Sequence, residues 1–318
     1  MLSSCRLVGP GLSPGHLGSA RDTVSAVFAP APLGDTRFEI LAESAFGSCP
    51  GRAAAELPTA SDALDSWYRA VILGGQGRYA AARAELRIVR ARGTDPIVLS
   101  LAASAEGSLL RQLGWHARAA VLDGRAVALI SAKSIGDRAL DPDRATTASG
   151  YPFDPGDALC DALTGLAADA LGLGRVPLAW RLLHRCADLV PDERLGWRPA
   201  IRRQWVSAET SLAAGTVGPA LTHAAAALEL AECGPSVRHL VKSRLLAAAA
   251  AAVAGERDRS RALADQVAEE CREHGLLPLR WAGAMLRAGL AVQGAAAEAE
   301  DCAATIARRG GRFRPPGR

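Results

Sequence analysis

The segment Gln76-Gly77-Arg78-Tyr79-Ala80-Ala81-Ala82 decides the fold, because its Gly-x-x-x-x-Ala spacing recurs along the chain. Gly77/Ala82 is followed by Gly114/Ala119, Gly174/Ala179, Gly215/Ala220 and Gly294/Ala299, with Gly255/Ser260 as the one departure. The intervals between these glycines are 37, 60, 41, 40 and 39 residues. A turn repeated at that period separates the two helices of a hairpin. Repeated hairpins stack, each burying its apolar face only against its neighbours. The chain is therefore expected to be all-α, an α-solenoid of about six helix-turn-helix hairpins.

Helix starts are marked with the same regularity. Proline costs nothing in a first helical turn, where its missing N–H would have no partner anyway. Pro96, Pro155, Pro199, Pro235 and Pro278 each open a helical pattern, and Asp95 and Asp154 stand where a capping side chain is wanted. Ser61 can cap the first helix in the same way. These signals predict first helices over 61–75, 95–112, 155–172, 198–213, 236–253 and 277–292. Second helices follow over 78–92, 115–130, 176–190, 218–233, 257–274 and 296–309. Leu178, Leu182, Leu183, Cys186, Leu189 and Val190 form the apolar stripe of one of them.

The interval of 60 residues contains a polar insertion at 131–154, which is read as a mobile loop. Residues 1–56 are broken by Gly and Pro and are expected to be a disordered arm, with a short element near Phe38 to Phe46. The helical repeats occupy 57–309, and 310–318 is expected to be a basic flexible tail.

Half the residues are apolar (49%) but only 4% are aromatic, so Ala, Leu and Val must build the core, which suits helices packed at close range. Strand-forming runs are few. The net charge is +4, and all basic residues except Lys133 and Lys242 are arginine. There is no asparagine, and with the Ala and Gly load this points to a GC-rich coding bias, so the basicity says little about nucleic acid. The final RRGGRFRPPGR can grip phosphates nonspecifically, but its biased composition accounts for it as well. No specific nucleic-acid partner is expected.

Seven cysteines lie singly along the chain without a C-x-x-C pair, which fits a reducing cytosol. Residues 1–18 lack the apolar run of a signal peptide. The longest apolar stretch, Leu245 to Ala254, is half of the roughly 20 residues a membrane span needs. The expected location is cytoplasmic, with no membrane partner.

The segment from Gln76 to Ala82, preceded by Trp67-Tyr68, resembles the Q-G-[DR]-Y-x-x-A turn of the tetratricopeptide repeat (TPR) family. Asp188-Leu189-Val190-Pro191 is similar to that repeat's closing L-x-L-x-P segment. The family places a small residue seven positions before each turn glycine. Ala70, Gly107, Ala167, Ala208 and Ala248 stand there, and Arg287 departs in the last repeat. The resemblance covers 61–309, and its intervals exceed the family's usual length of about 34 residues. They look more like the elongated repeats of large bacterial regulators and of actinobacterial proteins without an assigned role.

The resemblance implies a right-handed superhelix whose inner surface is lined by the first helix of each pair. Inward positions then fall thirteen and ten residues before each turn glycine. They are Arg202 and Trp205, Lys242 and Leu245, and Trp281 and Ala284, with Arg203, Arg238 and Arg280 close by. The N-terminal repeats contribute Leu64, Trp67, Val71, Leu101, Ser104 and Ser108. Arginine beside aromatic faces binds carboxylates and phosphates. Trp67, Arg202, Trp205, Arg238, Lys242, Arg280 and Trp281 are therefore the candidate concave-face site for another protein or peptide, with an acidic one favoured. A solvated arginine-rich face is the plainer alternative. The family's carboxylate clamp relies on asparagine, which this chain lacks.

Catalytic and metal-binding patterns do not emerge. His184 and Cys186 are two apart, so a helix points them to different faces. Asp137, Asp141, Asp143, Asp154 and Asp157 lack the glycine and distal glutamate of a calcium loop. No nucleophile elbow, phosphate loop or dinucleotide fingerprint is present. The expected function is a non-catalytic interaction scaffold without cofactor or metal. A regulatory or sensor module acting with a transcription factor or signalling protein stays open, as does a small anionic-ligand binder or enzyme.

Overall fold

Three aspartates set where helices begin. Asp62 accepts from the Asp65 amide, Asp95 from the amides of Ile97 and Val98, and Asp154 from that of Gly156. Each pairs amide donors that a helix leaves unsatisfied in its first turn. Ser61 does not take the capping role expected of it. Its hydroxyl donates to Asp65 Oδ2 at 2.6 Å, which steadies the carboxylate one turn into the helix, while Asp62 caps.

A computed structural model describes residues 36–130, 153–190 and 195–315. Among the described residues there are thirteen α-helices and no strand. α1 (Thr36–Phe46) precedes six hairpins. These are α2 (Ala63–Gly75) with α3 (Tyr79–Arg92), α4 (Pro96–Arg111) with α5 (His116–Leu129), and α6 (Pro155–Gly172) with α7 (Val176–Leu189). They continue with α8 (Trp197–Ala213) and α9 (Val217–Glu232), α10 (Val237–Val253) and α11 (Arg257–Glu273), and α12 (Leu277–Gly289) and α13 (Ala295–Arg308). All twelve helices expected from the turns and caps are present, with ends within three residues of the expected ones. The six turn glycines share a backbone reason for recurring. Their φ angles run from 71° at Gly77 to 84° at Gly255, a region where a side chain is strained.

Each helix packs on its hairpin partner, and the first helices of successive hairpins touch in order from α2 through α4, α6, α8 and α10 to α12. Small residues permit this approach. Ala70, Ala167, Ala208 and Ala248 are all buried. Gly107 and Gly165 make room for a single carboxylate from α5, since an added Cβ would lie 2.8 Å and 2.5 Å from Asp123 side-chain atoms.

The two ends of the array meet. The turn at Gly77 lies against Leu277 of α12, where an added Cβ would come within 3.0 Å. The Ala80 amide donates to the Arg309 carbonyl at 3.0 Å, and Arg309 Nη1 donates to the Gln76 carbonyl at 2.9 Å. From the other end, the Val237 amide donates to the Gly47 carbonyl, and α1 packs on both α2 and α10.

Two expectations change with this closure. The short element expected near Phe38 to Phe46 is α1, but residues 36–56 are not a disordered arm around it. α1 buries Leu41 and Ala45 in the core and sets the Phe46 ring 5.6 Å from that of Trp67. The tail is not flexible over 310–315, because it docks through its own backbone. Trp115 Nε1 donates to the Arg312 carbonyl at 2.8 Å, and the Arg314 amide donates to the Leu113 carbonyl at 2.8 Å. The Phe313 ring sits 4.6 Å from that of Trp281. The expected insertion loop lies outside the described residues over 131–152, with Asp137, Asp141 and Asp143, as do residues 1–35, Pro191 and the last three residues. No described helix is long and apolar enough to cross a membrane.

Candidate functional site

The first helices of the hairpins surround a cavity of about 420 Å³. Helical spacing explains which side chains reach it. Arg198, Arg202, Trp205 and Glu209 follow one face of α8, and Arg238, Lys242 and Leu245 follow one face of α10. Of the seven candidate residues, Trp67, Arg202, Trp205, Arg238, Lys242 and Trp281 line this one cavity. Phe46 from α1 and Phe313 from the C-terminal segment complete the wall.

Arg280 is not among them. Its Nε donates to Glu298 Oε1 at 2.7 Å, and Glu298 also receives Arg287 Nη1 at 2.9 Å. The reason is one residue of register: Arg280 precedes Trp281, so it points about 100° away round α12 and toward α13. Trp67 lies on the cavity wall but is only 2% exposed, because its ring helps to cover Arg198.

The charges in the wall are unevenly matched. Asp161 on α6 holds two arginines, Arg198 Nη1 at 2.5 Å and Arg202 Nη1 at 3.0 Å. The Arg198 guanidinium also lies over the rings of Phe46, Phe153 and Trp67, at 5.4, 5.6 and 6.0 Å. Lys242 Nζ pairs with Glu209 Oε1 at 2.7 Å and stands 5.9 Å from the Trp205 ring centroid. Arg238 has no hydrogen bond or ion pair among the described residues. Burial first, then Arg202 and Arg198, pulls its pKa down to about 10. Arg202 is lowered as well, by burial and by Arg198 and Arg111 against the pull of Asp161. The site is nonetheless within reach of solvent, since the Arg202, Lys242 and Glu209 side chains are 20%, 28% and 32% exposed.

His239 follows Arg238 but serves the packing. It stacks on Trp205 at 5.2 Å and meets Trp197 edge-on at 5.0 Å, with Nδ1 2.8 Å from Ser236 Oγ. Burial and then Arg238, Arg198 and Arg202 hold its pKa well below the usual imidazole value, so it is neutral at physiological pH.

A second charged cluster lies behind the wall. Arg111 Nη1 reaches Asp123 Oδ2 at 2.8 Å, Asp169 Oδ1 at 2.7 Å and the Gly165 carbonyl at 2.9 Å. Both carboxylates are fully buried. Burial, with Asp169 adding to it, pushes the Asp123 pKa up to about 7 against the opposing pull of Arg111.

Sequence reasoning missed Arg198, Asp161, Glu209 and the two phenylalanines of the wall. Arg198 was within reach, since it stands four residues before Arg202 on the same face. Asp161 carries no such signal, being 41 residues from the Arg202 it pairs with. His184 is exposed and Cys186 buried, as their spacing requires. Among the described residues no group of three or more His, Cys, Asp or Glu can hold a metal ion. The wall presents guanidinium and ammonium donors beside aromatic faces. The chain matches no protein-family model, and no curated protein matches it.

Proposed function

We propose that the chain is a TPR-like repeat protein, coiled as an α-solenoid, that captures a protein or peptide partner through its inner wall without catalysing a reaction. One observation carries this reading. Trp67, Arg202, Trp205, Arg238, Lys242 and Trp281, from four different helices, converge on one cavity. The left-handed turn glycines and the buried small residues at the helix contacts support the repeat. A volume of about 420 Å³ falls in the range of ligand pockets and suits a chain end or a few side chains rather than a folded surface. The basic wall favours an acidic partner segment.

Closure of the array favours a second reading. With the C-terminal segment docked across the first two hairpins, the cavity is also suited to a small anionic molecule.

Site-specific photo-crosslinking tests the first reading. A photoreactive residue at position 205 or 242 is expected to attach one and the same acidic polypeptide from native cytosol. At the exposed outer positions Val121 and Met285 it is expected to attach none. Equal labelling from inner and outer positions would overturn the proposal.

A further inference from the structure

We infer that the basic end of the cavity is an oxyanion subsite, in which Arg238 and Arg202 hold a phosphate monoester or a pair of neighbouring carboxylates. The apolar or aromatic body bearing that group lies against Trp205 and Trp281. This rests on the cavity being the capture site.

The charge count comes first. Arg198, Arg202, Arg238 and Lys242 face the cavity with only Asp161 and Glu209 opposite them, a surplus of two positive charges. Arg111 also reaches the wall, but Asp123 and Asp169 balance it from behind. Asp161 is shared by Arg198 and Arg202, and Glu209 is taken by Lys242. Arg238 is left with its full set of N–H donors unused among the described residues. It is half-buried, with its stem against Gly75 at the end of α2, where an added Cβ would come 3.3 Å from Cδ.

A half-buried guanidinium without a protein partner is only partly hydrated and cannot shed its proton near neutral pH. Its presence is explained if an anion joins it. Arginine presents a planar fork that fits the paired oxygens of carboxylate or phosphate, and such charge-assisted bonds strengthen where water is scarce. The aromatic side of the same cavity sets the rest of the ligand. Trp205 is fixed by its Nε1 donating to Ser243 Oγ at 2.8 Å and by stacking on His239, and Trp281 is fixed by Phe313. Rigid rings beside a cationic cluster select an oxyanion attached to a flat or apolar body over a bare inorganic ion.

The test uses the full chain with phenyl phosphate, phthalate and inorganic phosphate at matched ionic strength. It follows tryptophan fluorescence and the thermal midpoint. Phenyl phosphate or phthalate is expected to change the fluorescence saturably and raise the midpoint, and inorganic phosphate to bind at least about tenfold more weakly. Arg238→Gln is expected to weaken binding at least about tenfold, and Arg280→Gln, outside the cavity, to leave it unchanged. Arg238→Met is expected to melt no lower than the parent in a chloride buffer free of phosphate and carboxylates, because the arginine has no partner among the described residues to lose. The subsite is overturned if the parent gives no saturable response, if Arg238→Gln binds as the parent does, or if Arg238→Met melts lower.

The two readings separate cleanly. Crosslinking to a partner at position 205 with no response to any probe sinks the subsite and spares partner capture. Probe binding that depends on Arg238, with no partner attached, sustains the subsite for a free small molecule and removes the protein partner.

Discussion

Two clusters of buried charge are anchored about two turns apart on α6, and they are built to opposite balances. Around Asp169, a single arginine faces two fully buried carboxylates. Around Asp161, a single carboxylate faces two arginines, and Arg238 stands beyond them with no carboxylate at all. The carboxylates of the first cluster are sealed between α4, α5 and α6, with Arg111 alone reaching the cavity wall, and the second opens on the cavity. Chemistry makes the difference instructive. An excess carboxylate can be neutralised from within by taking up a proton near pH 7, as Asp123 does. An excess guanidinium has no such exit at physiological pH, so its charge is met by water or by an anion from outside. The first imbalance can be settled by a proton, and the second is the one on which the proposed oxyanion subsite rests.

Removing the arginine of the first cluster gives the largest expected effect. Arg111→Met leaves Asp123 and Asp169 buried with only the His116 ring, 3.7 Å from Asp169, as a basic neighbour. A change of this kind destabilises by about 3–5 kcal/mol. Urea denaturation at pH 8 measures it. The matching substitution in the open cluster, Arg238→Met, is expected to show no loss. Equal losses at both positions would erase the contrast between them.

The pH dependence of stability sharpens the comparison further. The folded pKa of Asp123 is raised to about 7, above the roughly 3.9 of an unfolded aspartate. The folded chain therefore binds more protons than the unfolded one between those values. The stability contributed by protonated Asp123 is complete below about pH 4 and is lost as pH rises through about 7. The loss amounts to a few kcal/mol as an order of magnitude. Between about pH 5 and 8 the Asp123 contribution falls with rising pH, as does that of Asp157, whose pKa burial raises to about 6. His239, held neutral, contributes in the opposite sense up to about pH 6.5. Asp123→Asn should therefore remove one downward part of the slope, most clearly above about pH 6.5. Asparagine keeps the shape between Gly107 and Gly165 and removes the titration. An unchanged slope in the variant would assign the pH dependence elsewhere.

How much of this was legible in the sequence follows from which interactions leave a local mark. The hairpins did, because Gly77, Gly114, Gly174, Gly215, Gly255 and Gly294 must adopt positive φ and because Asp95 and Asp154 cap the helices they precede. Counting back from those glycines located Arg202, Trp205, Lys242 and Trp281 on the wall. A count that is one residue out fails at once, as Arg280 shows. α1 was legible only as a short element near Phe38 to Phe46, and its docking escaped because it has no hairpin partner and follows a stretch dense in Gly and Pro. Closure of the array escaped for a different reason. It is made largely by main-chain groups of Arg309, Arg312 and Arg314, which carry no pattern in the side chains. Asp161 has meaning only once hairpins far apart in sequence are side by side.

The same closure places Phe313 at the cavity wall, and the smallest predicted effect tests whether it limits access. Phe313 lays its half-buried ring on Trp281 and lines the cavity, while the backbone on either side is tied to Leu113 and Trp115 of the second hairpin. Phe313→Ala removes the ring and keeps the backbone bonds. A half-buried ring contributes about 1 kcal/mol, so the thermal midpoint should fall by only a few degrees. Its effect on exchange should be easier to see, because the ring stands between the tryptophan face and solvent. Stopped-flow tryptophan fluorescence should show phenyl phosphate leaving faster from Phe313→Ala than from the parent. Faster release would identify the C-terminal segment as the cover of the basic cavity. A lower midpoint with an unchanged release rate would reduce its role to tying the ends of the array together.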